Sequence, residues 1–284
     1  MAILSSEETL HKRNELLDQG FTILPGMMPK SLLNELIAWS AERLPKIKID
    51  DRIRYQGSNI FVFTERHWEK TKGKPMKGDA PHFKDPIAEK VIELPAQLEV
   101  CRQLGLENLK SDGSLIILSK PGHGPPLYWH QDFMDWNSPQ AATPWPTKIF
   151  LSYYLTDTTR ENGCLRVIPG SHRKRHLLHD LLPDAHDAEL QAINDLSHPA
   201  FANYPDAIDV PLKAGDLIIA DARLMHSAWP NQTAECRTLM LAWHDVFQFP
   251  EPPSWWIGDI PDIIKNANPN ANYERSRTPN HYIA

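Results

Sequence analysis

At 284 residues, 41% of them hydrophobic and 23% charged, the chain is long enough to bury a large core without disulfide or metal staples. A net charge of −6 argues against nucleic acid or an anionic membrane as partner, and no run reaches the ~18 apolar residues of a membrane helix. Three scattered cysteines, Cys101, Cys164 and Cys236, exclude a disulfide scaffold, and the N-terminus lacks a signal-peptide pattern, so a reduced, cytoplasmic protein is expected.

Ser5 and Glu8 form an S-x-x-E capping box, which predicts a helix running through Leu16–Leu17 and ended by Gly20. Phe21–Leu24 reads as a short strand closed by Pro25–Gly26. A second helix starts at Pro29 or Ser31, carries Leu32, Leu33, Leu36, Ile37 and Leu44 at helical spacing, and ends at Pro45. From Thr64 to Pro86 the chain is polar, with Lys70, Lys72, Lys74, Lys77 and Lys84, and reads as a solvated loop or a lid. Short β-branched and aromatic runs follow at Ser114–Ser119, Lys148–Leu155, Cys164–Ile168, Asp209–Leu212, Leu217–Ala220 and Leu239–Trp243. An excursion at Arg173–Asp206, helical around Ala188–Leu196, interrupts them. Helices before strands imply one α+β, mainly β, domain built on a sandwich or barrel.

Tyr128-Trp129-His130-Gln131-Asp132 places an imidazole and a carboxylate two residues apart. On a strand these share one face, close enough for a single metal ion. Further on, Trp229-Pro230-Asn231-Gln232-Thr233 reads as a hairpin turn that would make His226 and Arg237 cross-strand neighbours. A guanidinium would then stand beside a ligating imidazole, ready to grip a carboxylate. Two histidines and one carboxylate with an open face are the donor set of non-haem Fe(II) oxygenases. A zinc hydrolase is the competing reading, although H-E-x-x-H is absent and Arg237 has no required role there. A non-catalytic β-helix binding module is a third.

Several segments together resemble the phytanoyl-CoA dioxygenase family of Fe(II)/2-oxoglutarate oxygenases. They are Gly20-Phe21 with Leu24-Pro25-Gly26, Trp129–Asp132, Asn162-Gly163-Cys164-Leu165 running on to Ile168-Pro169-Gly170-Ser171-His172, and Gly215-Asp216 with His226, Pro230-Asn231 and Arg237. The resemblance implies a double-stranded β-helix (jelly-roll, cupin-like) core with flanking N-terminal helices. It implies Fe(II) held by His130, Asp132 and His226, and 2-oxoglutarate held by Arg237, with Ser152 lining the co-substrate pocket. Leu239 stands where many relatives carry a hydroxyl residue, so the resemblance does not carry over a second hydroxyl contact to the carboxylate at that position. Asp132 supplies the carboxylate that related halogenases lack.

The implied reaction couples oxidative decarboxylation of 2-oxoglutarate with O2 to hydroxylation of an unactivated C–H bond. Desaturation, cyclisation or epimerisation by the same oxidant is the alternative outcome. The iron is the reactive centre, and no separate acid or base is assigned. The expected organisation is a single oxygenase domain over 1–284. Residues 1–110 would be a helical support and lid region, 111–249 the β-helix core with an insertion at 173–208, and 250–284 an irregular tail.

Aromatics crowd the metal motif. Tyr128, Phe133, Trp136, Trp145 and Trp243 are the candidate substrate contacts, and as a set they suggest a partly apolar small-molecule substrate. Asp135 and Arg166 are candidates to orient polar groups of that substrate. No basic cluster suited to CoA is apparent; Arg173-Lys174-Arg175 reads as a solvated turn. His123, His172, His176, His179, His186 and His198 read as structural or solvated, with no carboxylate at ligand spacing.

Overall fold

The computed structural model describes residues 3–46, 58–63, 85–182, 187–247, 249–268, 270–274 and 276; the lysine run at 70–84 and His186 lie outside them. The first helix, α1 (Ser6–Gln19), begins at the expected capping box: Ser5 Oγ accepts from the Glu8 N–H and the Glu8 carboxylate accepts from the Ser5 N–H. Gly20 ends it at φ 89°, a left-handed conformation that glycine adopts without steric cost. Strand β1 (Phe21–Leu24) and helix α2 (Lys30–Arg43) follow, close to their expected bounds. Strand β2 (Asn59–Val62) and the short helices Ile87–Ile92 and Pro95–Gln103 complete the N-terminal part.

The remaining strands are β3 (Lys110–Lys120), β4 (Leu127–His130), β5 (Lys148–Tyr154), β6 (Leu165–Val167), β7 (Ile208–Val210), β8 (Leu217–Asp221), β9 (His226–Ala228) and β10 (Arg237–Asp245). They form two sheets whose strand pairs are all antiparallel, one ordered β1-β8-β5-β10-β3-β2 and the other β4-β9-β6-β7. The excursion contributes two four-residue helices, Leu178–Leu181 and Ala188–Gln191; the second is shorter than the 188–196 patch suggested.

Alternation along the strands of the larger sheet places it between two apolar layers. Leu115, Ile117, Ile149, Leu151, Tyr153, Leu217, Ile219, Met240 and Ala242 pack against α1, α2 and the 87–103 helices. The alternate residues Ile116, Leu118, Phe150, Tyr154, Ile218, Ala220 and Leu239 face the smaller sheet and meet Leu165, Val167 and Val210 there. Burial on both faces explains why KIFLSYY and LIIAD are continuous apolar runs rather than alternating ones. Each fully buried aliphatic or aromatic side chain contributes about 1.5–3 kcal/mol.

The pairing overturns the expected hairpin between His226 and Arg237. Strand β9 belongs to the smaller sheet, where His226 pairs with His130 and Val167, whereas β10 belongs to the larger one and sets Arg237 opposite Lys120. The segment 229–236 therefore crosses from one sheet to the other instead of folding a strand back on its neighbour. Asn231 holds this crossing: its side-chain amide donates to the carbonyls of Pro121 (3.0 Å) and Glu235 (2.7 Å).

The N-G-C-L and P-G-S-H segments have structural duties. Gly163, at φ +90°, lies so near the Trp229 carbonyl that a Cβ would approach it to 2.7 Å. Ser171 Oγ accepts from the Met225 N–H at 2.9 Å, and buried His172 sets Nε2 3.0 Å from the Leu17 carbonyl, fastening the end of α1 to the loop before β9.

Candidate metal and co-substrate site

His130 ends β4 and His226 begins β9, so antiparallel pairing stacks the two imidazoles with ring centroids 4.1 Å apart. Asp132 lies just past β4 in a loop, not on the strand as the H-x-D spacing suggested. The Ala222 carbonyl places it by accepting from both the Asp132 and Phe133 N–H groups at 2.9 Å. The Asp132 carboxylate then lies 3.7 Å from His130 Nε2 and 4.0 Å from His226 Nε2. Ligand atoms of the three residues fall within 4.8 Å of one another, and all three are buried.

The orientation of each donor is fixed by a hydrogen bond. His130 Nδ1 is 3.0 Å from the Tyr128 carbonyl, and His226 Nδ1 is 2.9 Å from the Leu224 carbonyl. A carbonyl can only accept, so each Nδ1 is the donor in these contacts and each Nε2 is left facing the carboxylate, the atom available to ligate a metal. Trp243 Nε1 donates to Asp132 Oδ2 at 2.8 Å. Two imidazoles and one carboxylate, each oriented from behind, suit a first-row divalent metal ion.

Arg237 faces the inter-sheet interior, on the same side of β10 as Leu239, Leu241 and Trp243. It is 3% exposed, its Nε has no partner, and no carboxylate lies within 4.0 Å of it among the described residues. Its guanidinium carbon lies 5.9 Å from the Tyr154 ring centroid. Burial lowers its pKa from the usual arginine value, as expected for a cation stripped of water without a counterion. Ser152 shares the interior face with Phe150 and Tyr154; it is the cross-strand partner of Leu241, and its buried hydroxyl has no partner among the described residues. The inner face of β10 thus carries an unneutralised guanidinium at one end and, at the other, the tryptophan that holds Asp132.

The proposed substrate aromatics separate. Trp243 touches a candidate ligand directly. Tyr128 lies edge-on to His130 at 5.6 Å, but its ring belongs to an apolar cluster with Leu190 and Ala200 from the excursion. Phe133 and Trp136 pack with Ala141 and Ala222, and Trp145 meets Trp256 at 5.6 Å between ring centroids. All four are fully buried in these contacts. Arg166 is buried between Trp129 (4.7 Å) and Trp229 (3.8 Å) and donates to Asn203, so it fixes the excursion to the smaller sheet.

Two positions carry more than the sequence reading gave them. Arg223, 1% exposed, pairs with Asp221 (2.6 Å and 3.0 Å) and donates to the carbonyls of Ala141, Thr143 and Trp145. Asp221 and Arg223 flank Ala222, so this ion pair clamps the loop after Asp132 to the turn before His226. Lys120 is buried beside Arg237. An Asp-x-Arg tripeptide and a lysine ending an apolar strand are too common in sequence to mark either role.

The profile of the phytanoyl-CoA dioxygenase (PhyH) family matches residues 16–239, and the chain belongs to that family. Phytanoyl-CoA dioxygenase 1 of Oryza sativa subsp. japonica is 28% identical over 165 residues, a match covering 54% of this chain and 51% of that protein. The chain thus spans about half the length of this relative. The HygX structure from Streptomyces hygroscopicus, with nickel and 2-oxoglutarate bound, is 15% identical with a TM-score of 0.60, covering 88% of this chain and 89% of that one. The non-haem alpha-ketoglutarate-dependent carbocyclase SnoK of nogalamycin biosynthesis is 19% identical with a TM-score of 0.58, covering 86% and 84%. Among the described residues, no helix is long and apolar enough to cross a membrane.

Proposed function

We propose that the protein is an Fe(II)/2-oxoglutarate-dependent dioxygenase, built on a double-stranded β-helix, that hydroxylates an unactivated C–H bond of a small, partly apolar metabolite. The observation that carries this reading is an oriented His130–Asp132–His226 donor set together with a buried guanidinium that has no counterion among the described residues. When bound, iron with 2-oxoglutarate and O2 supplies the oxidising power, and 2-oxoglutarate leaves as succinate and CO2.

His130 and His226 would hold the metal through Nε2, and Asp132 through its carboxylate, with Trp243 keeping that carboxylate from rotating. Arg237 would hold the distal carboxylate of 2-oxoglutarate, and Ser152 would offer its hydroxyl along the same face. The apolar rows of β3, β5, β8 and β10 keep water from this interior. Phe133, Trp136, Trp145 and Tyr128, packed into apolar clusters, would act as fixed walls on the substrate side. SnoK, which shares the fold, is a carbocyclase, so ring closure by the same oxidant is the second reading.

Anaerobic titration with Fe(II) and 2-oxoglutarate tests the proposal. A visible charge-transfer band that needs both additions, is lost in His226→Ala and weakens in Arg237→Ala is the expected result. O2-dependent succinate release with a compound library then separates hydroxylated from cyclised products by mass. Absence of the band together with unchanged 2-oxoglutarate binding in Arg237→Ala would overturn it.

A further inference from the structure

Two residues past the candidate ligand Asp132, the hold on the backbone passes from the core to the C-terminal segment. The N–H groups of Asp132 and Phe133 both donate to the Ala222 carbonyl at 2.9 Å, and Trp243 donates to the Asp132 carboxylate. From Met134 onward the partners are different. The Ser276 N–H donates to the Met134 carbonyl at 2.8 Å, and the Trp136 N–H donates to the Ser276 carbonyl at 3.2 Å, which makes Asp135 and Ser276 a parallel β-bridge. Asn137 Nδ2 donates to the Glu274 carbonyl at 3.0 Å. The same segment reaches further along the loop that joins β4 to β5. Its short helix Asp262–Lys265, with Ile264 buried, packs on the turn Pro139–Ala142, and its Trp256 meets Trp145.

Trp136 is the residue this fastening places. Its ring is fully buried, stands edge-on to Phe133 with centroids 5.3 Å apart, and packs with Ala141 and Ala222. Side chains in such close packing follow their backbone, so a loop released at 134–137 cannot keep the ring in one place. The grip itself is light. Most of residues 262–274 are exposed, and the contacts to 134–137 run to backbone carbonyls and N–H groups, so losing one donor can release the loop without opening either sheet. The metal ligand and the aromatic wall therefore have separate supports: Ala222 and Trp243 for Asp132, Glu274 and Ser276 for Trp136.

We propose that the C-terminal segment, through Glu274 and Ser276, is a positioning strap for the substrate-side loop. It sets where Trp136 stands beside the metal site, and so which molecules fit there, without contributing to metal binding. The inference rests on the reading above of Trp136 as a wall on the substrate side.

The test uses two full-length variants, Ser276→Pro, which lacks the donor to Met134, and Asn137→Ala, which lacks the donor to Glu274. Three quantities are measured: amide hydrogen exchange at residue resolution, Ni(II) and 2-oxoglutarate affinity by calorimetry, and the thermal shift that a compound library gives the Ni(II)- and 2-oxoglutarate-loaded protein. Exchange at Trp136 should be about 10-fold faster in each variant, the scale of one lost hydrogen bond. Asp132 and Phe133 keep their wild-type protection, and both affinities stay at the wild-type value. Library compounds that stabilise the wild type should bind the variants about 10-fold more weakly.

Unchanged exchange at Trp136 in both variants would mean that the loop stands without the strap, and overturns the proposal. A fall in Ni(II) affinity, or faster exchange at Asp132 and Phe133 as well, would make the segment a support for the whole site and overturns it too. Faster exchange at Trp136 with the same library compounds bound equally well removes the positioning role. If neither variant folds, the segment belongs to the fold alone and the proposal is overturned. A wild type that binds Ni(II) but not 2-oxoglutarate sinks the oxygenase reading instead, whatever the exchange at Trp136.

Discussion

Trp243 Nε1 donates a 2.8 Å hydrogen bond to Asp132 Oδ2, so a residue of the larger sheet sets the angle of a carboxylate that follows a strand of the smaller one. Hydrogen bonds behind a ligand matter for metal affinity because they hold the donor atom in one orientation before the ion arrives. Trp243→Phe keeps the ring and removes the donor. Divalent metal affinity should fall about 10- to 100-fold, with a circular dichroism spectrum matching the wild type. Unchanged Ni(II) affinity in calorimetry would show that Asp132 needs no such support.

The same donor set predicts that metal stabilises the fold. Ni(II) at about 100 times its dissociation constant should add about 2.7 kcal/mol to the folded state, because the unfolded chain offers no assembled site. The melting temperature rises accordingly and returns when EDTA is added. His226→Ala should show no rise at the same Ni(II) concentration; a rise equal to that of the wild type would place the ion elsewhere.

Arg223→Met should be among the costliest single changes in the core. It leaves the Asp221 carboxylate buried without its partner and deprives the carbonyls of Ala141, Thr143 and Trp145 of their donor. Breaking a buried pair from one side costs about 3–5 kcal/mol, readable by urea denaturation. Asp221→Asn added to Arg223→Met should recover part of that loss, because no charge is then left buried. A single variant within about 1 kcal/mol of the wild type would mean that the clamp contributes little.

Acid should weaken the fold through His172 before most carboxylates titrate. Burial depresses its pKa from 6.5 to about 4. Between those values the unfolded chain binds a proton that folded His172 refuses, so stability falls as pH drops from about 6.5 toward 4; above 6.5 the residue contributes no slope. The slope is at most about 1.4 kcal/mol per pH unit for one histidine. Buried His179, also lowered to about 4 and again mainly by burial, adds a slope in the same direction. Denaturation curves at pH 7.5 and 5 should differ less for His172→Gln than for the wild type, and equal differences would remove His172 as the cause.

Much of this was legible in the sequence because it is local. The Ser5–Glu8 capping box, the Gly20 stop and the continuous apolar runs of β5 and β8 each need only neighbours a few residues away, and chain geometry fixes those relations. The family motifs pointed to Ser152 and Arg237, by likeness of segments and not by a rule of chain geometry.

Which strand lies beside which is not a local property, and there the tertiary structure decided. Residues 229–236 join two sheets, so His226 stacks on His130 and Arg237 meets Lys120, where turn arithmetic alone had paired His226 with Arg237. A loop with the length and turn residues of a hairpin costs similar closure entropy whether it pairs its flanking strands or carries one to another sheet. Burial on both faces of the larger sheet selects the second. The roles of Arg223 and Trp243 follow from that choice, since each acts on residues dozens of positions away that only the packed sheets bring within reach.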